Sequence, residues 1–179
     1  MHTHRMHTHQ RLAAAAAVAA ALLLTASTTA AACDLPAPGG SPLPRCAERN
    51  LSVKVTAAPT PDILKLRFTN NGRHACTVDR IPTVTFGDLD GAARPEPPVG
   101  SAPYRVAAGA TAYATVRTVL APPTPGDVRT VRDIVVAADP AHHGLRIKAT
   151  ELGLPRGVRV YDPVTSLWQH KAPRADRTI

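Results

Sequence analysis

The sequence predicts an all-β domain, a sandwich or barrel of about seven or eight short strands. Three observations point there. Apolar and polar residues alternate with a period of two in several short runs. Turn signals rich in Gly, Pro, Asn and Asp separate those runs at intervals of about 8–15 residues. No run has the length and 3.6-residue period of a long amphipathic helix.

Taken in order, Leu51, Val53 and Val55 alternate with Ser52, Lys54 and Thr56, a first strand with one face in a core and one in water. Ala57 to Pro61 is a Pro-containing turn. A second strand spans Ile63 to Thr69, where Leu64, Leu66 and Phe68 alternate with Lys65, Arg67 and Thr69. Asn70-Asn71-Gly72 then turns the chain, because Asn and Gly tolerate positive φ. Cys76–Val78 and Thr83–Phe86 are short extended pieces around Pro82, which lacks an N–H and belongs at an edge or bend. Gly87–Gly91 is a turn, and Arg94–Pro103 is expected as an extended loop. In the strand Ala112–Val119, Ala112, Ala114, Val116 and Thr118 share one face, with Tyr113, Thr115, Arg117 and Val119 opposite. Ala121–Asp127 is a Pro-rich connection. Ile134–Ala137 is continuously apolar and reads as a central strand buried on both faces. Leu145, Ile147 and Ala149 alternate with Arg146 and Lys148. Ala149–Leu154 has room for one helical turn before Gly153 and Pro155, and Gly157–Tyr161 is the last clear strand. Leu167-Trp168 adds a short tail contact, and 169–179 reads as a flexible tail.

Ahead of this domain, 46–168, stand two further segments. Met1–Arg11 is polar with Arg5 and Arg11 its only fixed charges, Leu12–Leu24 is apolar, and the small residues Ser27–Ala32 follow, the three parts of a secretory signal peptide over 1–32. That apolar run is too short to span a bilayer comfortably. The doubled MHTH at Met1 and Met6 falls in this leader; it leaves the start open between those two residues, and its histidines are given no role. Residues 33–45 are dominated by Pro and Gly and form a tether.

Ala30-Ala31-Ala32-Cys33 resembles the lipobox of bacterial lipoproteins, in which the cysteine becomes a lipidated N-terminus. Ala30 stands where that motif usually has Leu. The alternative is ordinary cleavage nearby, leaving Cys33 an incidental thiol. The chain has 3 cysteines. If Cys33 carries lipid, Cys46 and Cys76 remain as the one pair, and export permits a disulfide between them. Such a bridge closes a loop of about 30 residues and stabilises by about 3 kcal/mol.

The order of these features resembles a family of small secreted or lipoprotein domains of actinobacteria with no assigned function. The resemblance rests on Cys46 ahead of the first strand, FTNNGRHACTV at 68–78, TVTFGDLDG at 83–91 and VAAGATAYATV at 106–116, and covers 46–161. Arg80-Ile81-Pro82 replaces a G-Y-P-like element of that family, and Ala108-Gly109-Ala110 replaces its Pro-Gly turn. The resemblance implies an immunoglobulin-like sandwich at the cell surface and no activity.

Charge narrows the partners. Two of the 21 basic residues, Arg5 and Arg11, lie in the leader and all 13 acids follow it, which leaves +6. The bases are spread out, so the surface favours anionic envelope polymers or lipid over nucleic acid, which calls for basic clusters with interleaved aromatics. Of those 21 bases only Lys54, Lys65, Lys148 and Lys171 are Lys, a bias of GC-rich coding.

No G-x-S-x-G elbow occurs, and Ser101 and Ser166 lie in loops without a supporting His and acid, so the domain is expected not to be an enzyme. Asp139-Pro140-Ala141-His142-His143 places an acid and two imidazoles in one turn. The preferred reading is a solvated polar turn with no metal and no cofactor; a carrier using His142 and His143 is the alternative. Tyr104, Tyr113, Tyr161 and Trp168 are assigned to the core or its edges rather than to a carbohydrate or peptide site. The expectation is therefore an exported, lipid-anchored domain at the outer face of the cytoplasmic membrane. It binds an envelope protein or polymer; a passive spacer is the other reading.

Overall fold

A computed structural model describes residues 42–96, 102–120, 123–124, 126–177 and 179. The segments expected as a signal peptide (1–32) and, up to residue 41, as a tether, Cys33 included, lie outside the described residues. Residues from Ser41 to Ile179 form one compact unit.

The fold is almost entirely β. Its strands are β1 Leu51–Ala57, β2 Ile63–Asn70, β3 Cys76–Val78, β4 Thr83–Phe86, β5 Arg94–Glu96, β6 Tyr104–Val106, β7 Thr111–Arg117, β8 Arg129–Val131, β9 Asp133–Ala137, β10 Leu145–Lys148, β11 Val158–Val160 and β12 Val164–Ser166. One short helix, α1, spans Ala172–Asp176. The main sheet has the order β1-β2-β7-β12-β5, antiparallel except for the parallel β12–β5 edge. A second sheet has the order β10-β9-β4, and β11-β8 and β3-β6 form two-stranded pieces.

The alternation read in β1 and β2 decides which face packs, and β7 follows it except at Thr115, which faces outward but is buried under α1. Leu64, Leu66 and Phe68 of β2 and Ala112, Ala114 and Val116 of β7 are buried. They share one core with Val84, Phe86, Ile134, Val136 and Ile147 of the second sheet. Two sheets over one apolar layer make a sandwich, and small Ala side chains on β7 make room for the rings above them. Phe68 meets Trp168 edge to face, with ring centroids 4.7 Å apart. Trp168 is wholly buried, and its indole N–H donates to the Ala138 carbonyl at 3.1 Å.

Several expectations are corrected. Among the described residues twelve strands replace seven or eight, because β5, β6, β8 and β12 are three-residue pieces too short to show a period. The loop expected over Arg94–Pro103 contains β5, where Pro95 sits in an edge strand and needs no ladder donor there. β9 is central in its sheet, but only Ile134, Val136 and Ala137 are buried; Asp133 and Val135 face partly outward. The contact expected at Leu167-Trp168 is the centre of the core, reached through β12. The segment expected as a flexible tail carries α1, whose Asp176 accepts from Lys65 Nζ and Thr115 Oγ1. Burial pushes the Asp176 carboxyl up, but those two donors and the lysine charge outweigh it and hold it below its ordinary range.

Candidate functional site

The β1–β2 hairpin runs between two poles of the sandwich, and the poles are built differently. One is stapled. The structure joins Cys46 and Cys76 by a disulfide. Beside it, the turn predicted to be solvated is anchored instead. Asp139 is 1% exposed and accepts both Arg45 Nη1 contacts, at 2.9 and 2.8 Å, with the backbone N–H groups of Asp79 at 2.8 Å and Ala141 at 2.9 Å. A carboxylate leaves water when its lone pairs are filled in this way. Arg45 itself is 66% exposed. Glu48 accepts from the N–H groups of Gly144 at 2.7 Å and His143 at 3.1 Å. The Gly144 bond holds the Glu48 carboxyl below its ordinary range; slight burial opposes it, and the His143 N–H and the nearby imidazoles add to it.

His142 and His143 do not converge on a metal site. His142 Nε2 lies 2.9 Å from the Cys46 carbonyl. A carbonyl only accepts, so Nε2 carries the proton and has no lone pair to offer. Among the described residues no group of three or more His, Cys, Asp or Glu side chains is placed to hold a metal ion. Asn70 completes this pole. Its amide nitrogen donates to the His74 carbonyl at 2.9 Å and the Ala107 carbonyl at 3.2 Å, and its Oδ1 accepts from Gly72 N–H at 2.9 Å.

The opposite pole is open. A groove of about 700 Å³ lies between the β1–β2 turn and the segment Gly153–Arg159. The turn closes through Ala58 N–H to the Ile63 carbonyl at 2.9 Å. Asp62 sits there at φ 60°, a left-handed conformation that Asp tolerates better than most residues. Thr118 holds it by donating its N–H to the Asp62 carbonyl at 2.8 Å. Gly157 forms the far wall at φ 100°. A Cβ there would lie 2.5 Å from Thr130 Cγ2 and 2.7 Å from the Val131 carbonyl, so only glycine lets the chain come this close to β8. Arg159 Nη1 reaches across to Asp62 Oδ2 at 3.1 Å. Arg156, Thr60, Thr118 and Thr130 add polar groups, and Pro61, Leu154 and Val158 supply apolar wall.

Sequence reasoning reached the turn at Pro61 but not the groove. Asp62 and Arg159 are 97 residues apart, and neither run carries a motif. Tyr104 and Trp168 belong to the core, and Tyr113 and Tyr161 are half-buried. The Tyr104 hydroxyl hydrogen-bonds His170 Nδ1 at 2.8 Å; burial raises its pKa against the lowering charge of Arg80.

Residues 46–167 match the family described as a domain of unknown function, DUF4232. The chain belongs to that family. No curated protein and no solved structure matches it. The DUF4232 match begins at Cys46 and so takes in both the staple and the groove, while α1 lies beyond it.

Proposed function

We propose that this DUF4232 chain is an exported, non-enzymatic domain of immunoglobulin-like plan that binds a partner or ligand at the cell envelope. Cys33 carries the lipid anchor, and 33–45 is the tether. The composition supports an actinobacterial origin, and the Arg-rich, Ala- and Pro-rich coding agrees with it.

The observation that carries the binding reading is the groove at the open pole. It is concave, its walls are largely apolar, and a few polar groups converge on it, which is the usual makeup of a ligand site. A non-enzymatic role is supported by the Asp62 carboxylate being committed to Arg159, with no Ser, Cys or His among the described residues that line the groove.

The test is a pull-down from solubilised envelope with the full chain, compared with an Arg156→Glu/Arg159→Glu variant. Recovery of one partner, lost in the variant, is the expected result. No partner with either protein makes the chain a passive spacer. Mass spectrometry of the mature N-terminus reads the anchor directly: a diacylglyceryl thioether on Cys33 is expected, and a free thiol removes it.

A further inference from the structure

The outer face of the main sheet carries a second recess that the end groove does not use. It holds about 370 Å³ and lies between the sheet and α1. Lys54 of β1 pairs directly with Arg67 of β2, and Arg67 pairs directly with Tyr113 of β7. Direct partners in antiparallel strands stand about 5 Å apart, so two cations and a ring form one row across three strands.

Like charges set opposite each other disfavour the sheet that holds them. Among the described residues neither the Lys54 nor the Arg67 side chain has an ion-pair or hydrogen-bond partner. The row below behaves otherwise. Lys65 is neutralised by Asp176, which also takes the Thr115 hydroxyl. Asp176 is the one acid among the residues lining the recess, and it is spent on Lys65. The upper row therefore presents an uncompensated pair of positive charges beside an aromatic face, with Ala172 and Ala175 of α1 as a low apolar wall.

We propose that this recess recognises a phosphate-bearing envelope polymer, a strand of glycan or polyol phosphates. Arg67 offers a planar fork and Lys54 a point charge to the same oxyanion. Tyr113 lies beside them, its ring available to a sugar or polyol unit next to the phosphate. The recess is one cation pair wide and walled by α1, which suits a narrow strand rather than a flat bilayer. It has a single aromatic group, where a nucleic-acid strand calls for successive stacking platforms. The envelope as the source of the polymer rests on the export reading above; the anion site does not.

Purified full chain is titrated with soluble poly(glycerol phosphate) by calorimetry, with a single-stranded oligodeoxynucleotide and phosphatidylglycerol-rich vesicles as the other probes. Binding to the polymer is expected, weakened about tenfold by Arg67→Gln and further by adding Lys54→Gln. Arg67→Lys falls between, because the charge survives and the fork does not. Arg129→Gln removes an equal charge elsewhere and leaves binding unchanged. Thermal unfolding of the Lys54→Gln/Arg67→Gln variant keeps the test independent of folding: its midpoint is expected to stay level or rise, since a repulsion is removed. Polymer binding untouched by the double variant, or matched by the oligonucleotide or the vesicles, overturns the proposal. Because this assay uses isolated protein, its failure leaves the groove and its pull-down standing, and the reverse also holds.

Discussion

The two poles of this sandwich make opposite use of the same kinds of residue. At the stapled pole polar groups are consumed by structure: Asp139 takes two backbone N–H groups and a guanidinium, Glu48 takes two more N–H groups, and His142 spends its proton on a carbonyl. At the open pole an Asp and an Arg meet at the rim and a second Arg stands beside them. The lesson is one of division. Polar side chains close the end where the chain enters, while the far end keeps a concavity whose apolar wall, Leu64 and Val158, is shared with the core.

The sharpest way to break that contrast is to remove the staple. Cys46→Ser/Cys76→Ser is expected to lose about 3 kcal/mol of unfolding free energy in denaturant titration. A loss under about 1 kcal/mol would mean that the stapled pole is held by its hydrogen bonds instead. Next comes Asp139→Ala. It removes a buried carboxylate that holds two partly buried N–H groups and is expected to cost about 1–2 kcal/mol, whereas Arg45→Ala, at the exposed end of the same pair, costs about 1 kcal/mol or less. Equal costs would show that the ion pair rather than the backbone bonds fixes the turn.

A smaller effect tests Glu48. Its folded-state pKa is depressed, so its contribution is present above the unfolded value of about 4.3 and is lost as pH falls through the lower folded value. Glu48→Gln should therefore trail the parent by about 0.5 kcal/mol at neutral pH after allowance for solvent screening, and the gap should close in acid. A gap that persists at low pH would assign it to packing. The least effect is expected at the open pole. Arg159→Ala breaks an exposed pair and should shift stability by about 0.5 kcal/mol or less. A larger loss would turn the groove's rim into a structural clamp and weaken its reading as a binding site.

The long elements of the fold were legible because alternation is a local signal. Leu64, Leu66 and Phe68 announce β2, and Ala112, Ala114 and Val116 announce the inner face of β7, with no knowledge of what packs above them. The three-residue strands were not legible, since three residues cannot display a period and their pairing is decided by partners far along the chain. The terminal part misled most. Val164–Ser166 holds one apolar residue and two hydroxyls, yet all three are buried. The Ser166 hydroxyl accepts the Thr115 N–H at 2.9 Å, so a polar segment is accepted into the sheet by satisfying it. For the candidate site the same limit applied. The turn at Pro61 was visible, but its partner Arg159 was not, and buried Asp139 takes its donors from Asp79, 60 residues away, and Arg45, 94 residues away.

The sheet order β7-β12-β5 has a consequence in time. The central position between β7 and β5 is filled by the last strand made. A chain emerging from its N-terminus can close the Cys46–Cys76 loop early, since only 30 residues separate them. It cannot seat β5 or cover Phe68 until Val164–Trp168 has followed. The domain therefore locks last at its middle, and Val164–Trp168 acts as a keystone for the described strands laid down before it.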